Sequence, residues 1–84
     1  RRFYGEFTVD AASPMMDFAA IYLDEKATGI RPGESIGGYL DRRLHHKASE
    51  GDLVEVGTVV LVVREMDQRE IVKVGVKLPR PWAG

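Results

Sequence analysis

The sequence predicts an α+β domain with a mostly antiparallel sheet, in the order β-α-α-β-β-β, and with the helices packed on one face. Residues 51–77 read as three consecutive strands separated by short turns. Residues 59–63, VVLVV, form an apolar run that is short and rich in β-branched residues, which is typical of a strand buried on both faces. Two stretches with helical spacing precede these strands, and helices grouped before a run of strands indicate an α+β fold.

The first strand is expected from Phe3 to Val9, because Phe3, Phe7 and Val9 alternate with polar residues. Gly5 falls on the apolar side of this strand and predicts a bulge or a close crossing there. The strand therefore has one buried face, which the helices that follow are expected to cover.

The first helix is expected to open at Ser13-Pro14, since Ser suits the N-cap and Pro suits the first helical turn. Its apolar residues recur at helical spacing and predict one buried stripe. The stripe comprises Met15, Phe18, Ala19, Tyr22 and Leu23.

Residues 24–34 are predicted to form an exposed loop, punctuated by Gly and Pro and anchored by Ile30. Ser35 begins a second helix that is expected to run to about Leu44. Ile36, Leu40 and Leu44 are spaced by four residues and therefore share one face of this helix.

Gly37 and Gly38 are unusual inside a helix, because each lowers helix stability by about 1 kcal/mol relative to Ala. One explanation is close packing of the first helical turn on the sheet or on the other helix. The other is that bare backbone amides at the helix N-terminus bind an anion or a nucleotide phosphate, assisted by Arg42 or Arg43. The candidate ligand-binding residues are therefore Gly37, Gly38 and Arg42, although no Walker-type Gly-Lys-Ser/Thr follows them.

No catalytic or metal-binding signature is present in the sequence. There is no cysteine, which excludes disulfides and thiol chemistry. The adjacent His45 and His46 point about 100° apart on a helix and have no third ligand at metal spacing, so pH sensing is the only alternative to a structural role. The carboxylates are scattered around turns and strand ends. We therefore predict no catalytic residues, no metal site and no cofactor.

The hairpin register follows from placing Gln68 and Arg69 at the centre of the last turn. This choice puts the valine-rich faces of the two strands together. The predicted pairs are Val63 with Val74, Leu61 with Val76 and Val59 with Leu78. The same register sets Arg64 opposite Lys73, and the alternation of the last strand puts Ile71 on the face away from Val72, Val74 and Val76.

The 84 residues are expected to form one domain over residues 1–78, with a tail at 79–84 that contains Trp82. The net charge of -1 argues against a nucleic-acid partner. Because the chain begins with Arg1 rather than Met, we expect a piece of a longer protein. Val60 and Val62 give the VVLVV strand a second apolar face, which predicts a homodimer or another cover.

Three segments resemble the transporter-associated domain of CorC/HlyC type: IGGYLDRRL at 36–44, EGDLVEVG at 50–57 and VVREMDQREIVKVGV at 62–76. The family pattern begins a helix with a hydroxyl residue followed by Ile/Leu-Gly-Gly-aromatic, as at residues 35–39. It continues with a Gly-Asp turn, where Ala48 stands at the usual proline position. It ends with a hairpin in which Gln68 replaces the usual turn glycine.

The resemblance implies a cytoplasmic accessory domain of a cation/proton antiporter of the bacterial inner membrane, and residues 62–79 look most like the potassium/proton branch. A CorC/HlyC-type magnesium/cobalt efflux protein and a nucleotide- or anion-binding effector module are the alternatives. The partner that the resemblance implies is the transmembrane transport domain of the same parent chain. A second copy of the domain is expected from the apolar faces of the VVLVV strand, and a small anionic effector from Gly37 and Gly38. The family is not known for enzymatic activity, and no flavin is implied.

Overall fold

The computed structural model describes residues 3–23 and 29–79, and its elements follow the predicted order β-α-α-β-β-β. The α+β fold class is therefore confirmed. Trp82 and the rest of the predicted tail from residue 80 onward lie outside the described residues. The six elements are β1 (Phe3–Asp10), α1 (Met15–Tyr22), α2 (Ile36–Arg43), β2 (Leu53–Val56), β3 (Val59–Asp67) and β4 (Glu70–Pro79).

The four strands form one antiparallel sheet in the order β1-β4-β3-β2. The VVLVV strand lies inside the sheet, between β4 and β2, as its unbroken apolar run predicts. Because β1 pairs with β4 rather than with its neighbour in sequence, the two helices form the connection from one edge of the sheet to the other. β1 and β2 are the edge strands.

The hydrophobic core lies between one face of this sheet and the two helices. Each helix contributes fully buried side chains, among them Met15 from α1 and Leu40 from α2, and the inward side chains of β2, β3 and β4 meet them. Ile30 and Leu44 are half-buried against this core, as predicted. Tyr22 departs from the predicted stripe, because 39% of it is exposed at the end of α1.

The register of the β3–β4 hairpin is confirmed in its valine-rich half, where Val63 pairs with Val74 and Leu61 with Val76. Nearer the turn the prediction is wrong. Lys73 pairs with Glu65 instead of Arg64, because an irregularity in each strand shifts the pairing there. The shift removes a repulsion between two cations, and it also turns Ile71 into the core on the helix side of the sheet.

The second face of the sheet needs less cover than the sequence suggests. Val62 is buried although it does not belong to the core between sheet and helices. Its partner on β4 is Gly75, and the side chain of Arg64 lies across that glycine: a Cβ added there would be 2.5 Å from Arg64 Nε. The Cγ, Cδ and Nε atoms of Arg64 thus lie over Gly75, beside Val62, although Arg64 as a whole is exposed.

The start predicted from the sequence is right for α2, whereas the N-cap predicted for α1 is wrong. Ser35 caps α2 by accepting a hydrogen bond from Gly38 N at 3.0 Å. In α1 the N-cap position is occupied by Pro14 rather than Ser13, and no side chain caps that helix. The predicted irregularity at Gly5 is confirmed by a register shift between Phe3 and Gly5.

Candidate functional site

The first turn of α2 carries two of the predicted ligand-binding residues, Gly37 and Gly38. Their amides are already bonded: Gly37 N donates to Ala11 O at 2.9 Å, and Gly38 N donates to Ser35 Oγ at 3.0 Å. Ile36 N donates to Ser13 O at 2.9 Å. The assumption that these amides are bare is therefore wrong, and ligand binding at this turn stays a prediction without that support.

Gly37 owes its identity to close packing. A Cβ built on it would lie 3.0 Å from Ala11 Cβ and 3.4 Å from Ala11 O, with Ile71 O at 3.6 Å. The helix thus rests directly on the turn after β1 and on the start of β4, which confirms the packing explanation for this residue. Gly38 is exposed, and its nearest neighbour is the capping Ser35 Oγ.

Arg42, the third predicted ligand-binding residue, is bound to Glu34, the residue that precedes the cap of α2. Its Nε donates to Glu34 Oε2 at 2.7 Å and its Nη2 to Glu34 Oε1 at 2.6 Å, a two-bond pairing of fixed geometry. Arg42 Nη2 also donates to Gly29 O, and Arg31 N donates to Glu34 Oε1 at 3.1 Å. These bonds fasten the described end of the loop, residues 29–34, to α2.

The electrostatics of this pair follow from its geometry. The pKa of Glu34 is lowered to about 2, chiefly by the hydrogen bond from Arg42 and also by the backbone hydrogen bond from Arg31, against a partial desolvation that raises it. The same contact with Glu34 raises the pKa of Arg42. Both groups are charged over the whole physiological range, so this pair is a fixed structural element.

A groove of about 320 Å³ lies beside the first turn of α2. Gly37 and Gly38 line it together, whereas Arg42 does not. Its charged lining residues are Asp41 and Glu70, which would repel an anion. The structure therefore brings two of the three predicted residues together, in surroundings that suit an anion poorly.

A second groove, of about 260 Å³ and mostly apolar, lies between α1 and β1. Phe18, Ile21 and Tyr22 line it on the helix side and Val9 on the strand side. Ile21 is 71% exposed and was absent from the predicted stripe. Its signal in the sequence is a large apolar residue three positions after Phe18, where a polar residue would be expected on a solvated helix face.

His46 and Asp52 take part in local contacts around the turn before β2. His46 Nδ1 lies 2.8 Å from Lys47 O and 4.0 Å from Asp52 Oδ2, while Asp52 Oδ2 accepts a hydrogen bond from Ser49 N at 2.8 Å. Within the described residues, no group of three or more His, Asp or Glu side chains could hold a metal ion. No helix in the same residues is long and apolar enough to cross a membrane.

Comparison with known proteins gives a family match and several similar structures. The sequence profile of the CorC_HlyC family, described as "Transporter associated domain", matches residues 1–80. A CorC_HlyC domain from Haemophilus ducreyi is 22% identical and superposes with a TM-score of 0.76 over 93% of each chain.

Two further structures have the same fold. A region associated with a Mg²⁺ and Co²⁺ transporter (CorC) from Neisseria meningitidis is 20% identical, with a TM-score of 0.73 over 87% of this chain and 88% of that one. A hemolysin domain from Enterococcus faecalis is 22% identical, with a TM-score of 0.73 over 88% of each chain.

Proposed function

Because the chain belongs to the CorC_HlyC family of transporter-associated domains, we propose that it is an accessory domain that modulates ion transport by a membrane cation transporter. The observation that carries this proposal is the family match over residues 1–80, which spans every described element. The domain acts through contact with the transport machinery, and it performs no chemistry of its own.

The non-catalytic part of the proposal is supported by the roles of the polar side chains. Glu34 is bound by Arg42, and Asp52 closes its own turn. Lys73 Nζ lies 2.7 Å from Asp10 Oδ1 on the surface of the sheet. Each of these groups satisfies a neighbour in the fold, whereas a general acid or base must face a site where substrate can bind.

For the transported ion we propose potassium exchanged for protons, with the domain at the cytoplasmic face of the bacterial inner membrane and the transmembrane transport domain of the same parent chain as its partner. Support comes from residues 62–79, which look most like the potassium/proton antiporter branch. The alternative is magnesium/cobalt efflux, which is supported by the similarity to the CorC-associated region from Neisseria meningitidis.

The test is transport by the parent protein with and without this domain. Inverted membrane vesicles that contain the intact parent are compared with vesicles that contain a parent truncated before residue 1. Proton flux driven by potassium and ion flux driven by magnesium are measured in separate assays. We expect the truncation to change the rate or the ion threshold of potassium/proton exchange. A change confined to magnesium or cobalt flux selects the alternative, and unchanged fluxes in both assays contradict the regulatory role.

The binding of a small anionic effector at Gly37, Gly38 and Arg42 is a separate proposal for how such regulation is triggered. A ligand that binds only the native state raises the melting temperature by mass action. A thermal-shift series with nucleotides, phosphate and sulfate tests it, with Arg42→Gln as the variant that should lose the shift. A flat response of the unmodified protein to all of these anions contradicts the proposal.

A further inference from the structure

The outer edge of β1 presents unpaired backbone groups. Ala11 N donates to Val72 O, which fixes the alternation of the β1–β4 ladder: the odd-numbered residues of β1 bond to β4, and the even-numbered ones point outward. The N–H and C=O of Glu6 and Thr8 and the N–H of Asp10 therefore face away from the sheet. Within residues 3–23 and 29–79, no backbone group pairs with Glu6 or Thr8 from that side.

The opposite edge of the sheet is better protected. β2 is only four residues long, and Arg43 Nη2 donates to Glu55 O at 3.3 Å. β1 is eight residues long and has no such bond along its described free edge. A long edge with free pairing groups is a template for pairing with another strand, and the irregularity near Gly5 and the carboxylates of Glu6 and Asp10 restrict the registers that this edge accepts.

The apolar surface of α1 adjoins the same strand. Tyr22 packs on Phe7 of β1 with ring centroids 5.3 Å apart, yet Tyr22 remains 39% exposed and Ile21 71% exposed. Both residues line the groove that Val9 closes from β1. Backbone pairing groups and exposed apolar side chains thus lie on neighbouring parts of one surface, which is the combination that strand addition requires.

We propose that β1 pairs antiparallel with β1 of a second copy of this chain, with Phe7 opposite Phe7 of the partner. The two four-stranded sheets then form one continuous eight-stranded sheet about a two-fold axis. The Phe7 and Tyr22 rings of both copies meet on the helix side of this sheet and bury Tyr22. This inference stands apart from the proposed role in transport, because it depends only on the edge and the surface beside it.

Charge selects both the partner and the register. The outward-facing residues must pair with one another, and the irregularity between Phe3 and Gly5 interrupts the outer ladder at that end of the strand, which leaves registers centred on Glu6, Phe7 or Thr8. Centring the pair on Glu6 sets Glu6 against itself, and centring it on Thr8 sets Glu6 against Asp10, so both oppose carboxylates. Centring it on Phe7 sets Glu6 against Thr8 and opposes no like charges. The strand is thus complementary to itself in one register only.

The first test is the molar mass of the protein in solution. Light scattering should give twice the 9.4 kDa mass of the chain at high concentration, falling toward 9.4 kDa on dilution. Ile21→Lys should weaken the dimer at least tenfold, because it places a charge beside the paired strands. Met16→Lys is the matched control on the other flank of α1, where Met16 is 51% exposed, and should leave the dissociation constant within twofold.

A backbone variant tests the edge itself. Thr8→Pro removes an N–H that points outward, so the pairing with β4 survives and circular dichroism should match the unmodified protein. We expect this variant to be monomeric. A strict monomer of the unmodified chain at high concentration overturns the proposal. A dimer that persists in Thr8→Pro but is lost in Leu53→Lys also overturns it, since Leu53 lies on the opposite edge strand and faces away from the helices.

Cross-linking tests the register, because the chain has no cysteine of its own. In the register centred on Phe7, Glu6 and Thr8 of the partner lie about 5.5 Å apart at their Cα atoms, a distance that suits a disulfide. The double variant Glu6→Cys/Thr8→Cys should therefore form a covalent dimer on mild oxidation. Neither single variant should do so. Efficient cross-linking of Thr8→Cys alone, or of Glu6→Cys alone, would assign another register and contradict the one proposed.

Discussion

Gly37 and Gly38 are adjacent in α2, but they meet different surroundings. Gly37 is buried and its amide bonds to Ala11 O, so the helix and the turn after β1 are held in direct contact. Gly38 is exposed, and a Cβ built on it would lie 3.2 Å from Ser35 Oγ and 3.8 Å from Glu34 Cγ. At the residue scale, a side chain at Gly37 is therefore excluded by buried packing on Ala11, whereas a side chain at Gly38 would meet only side-chain atoms of the helix cap.

Replacing Gly37 with Ala should lower the free energy of unfolding by about 1–2 kcal/mol, because overpacking outweighs the gain in helix propensity. Ala11 cannot retreat easily, since its carbonyl accepts the Gly37 amide. Gly38→Ala is the matched control and should be neutral or stabilising. Urea titrations of both variants measure this difference. Equal stability of the two variants would contradict the packing account of Gly37.

The Glu34–Arg42 pair gives the domain a defined acid sensitivity. The pKa of Glu34 is lowered in the folded state from 4.5 to about 2, so the pair stabilises the fold above pH 4.5 and loses this contribution as the pH falls toward 2. Glu34→Gln should therefore show a smaller fall in melting temperature between these pH values than the unmodified protein. Arg42→Gln should show the same smaller fall. A steeper fall in either variant would contradict this assignment.

The two hairpin turns show how an element tolerates or avoids backbone strain. The β3–β4 turn places Gln68 and Arg69 at φ of 50° and 76°, a left-handed pair that normally favours Asn-Gly. The β2–β3 turn uses Gly57 at φ of 63° for the same purpose. The predicted turn centre at Gln68-Arg69 is thus right, although the residues themselves suit it poorly.

The double variant Gln68→Asn/Arg69→Gly should raise the free energy of unfolding by about 1 kcal/mol, because both residues then adopt positive φ with little strain. Gly57→Ala should lower it by about 1 kcal/mol for the converse reason. Chemical denaturation measures both effects. No stabilisation by the double variant would mean that the side chains of Gln68 and Arg69 contribute more than the strain removes.

At the scale of the whole molecule, one core joins both helices to the sheet. Leu61 is fully buried at its centre, and its paired neighbours Val54 and Val76 lie on the two flanking strands. Because the described elements share this core and no second core divides them, we expect the domain to unfold as one cooperative unit.

Leu61→Ala should lower the free energy of unfolding by about 2–5 kcal/mol, through lost burial and the cavity that remains. The total free energy of unfolding of an 84-residue domain of ordinary stability is about 5–10 kcal/mol, so this loss is a large fraction of it. Far-ultraviolet and near-ultraviolet circular dichroism should report the same midpoint in urea. Leu53→Ala is the matched control: Leu53 is 58% exposed, and its loss should change the stability by under about 0.5 kcal/mol.

Local patterns in the sequence determined the order of elements, the interior position of VVLVV, the Ser35 cap and the centre of the last turn. Each depends on neighbours in the chain: period-two alternation, helical spacing, or a residue with a capping side chain. The register of the last hairpin followed from matching the valine-rich faces of its two strands, which selected Gln68-Arg69 as the turn centre.

Only the tertiary structure decided which groups were already engaged. The amide of Gly37 and the side chain of Arg42 looked available in the sequence, but Ala11 O and Glu34 bind them. The paired irregularities that turn Ile71 inward likewise depend on both strands at once. Such contacts join residues far apart in the chain or fixed by packing, and the periodicity of a single segment carries no record of its distant partners.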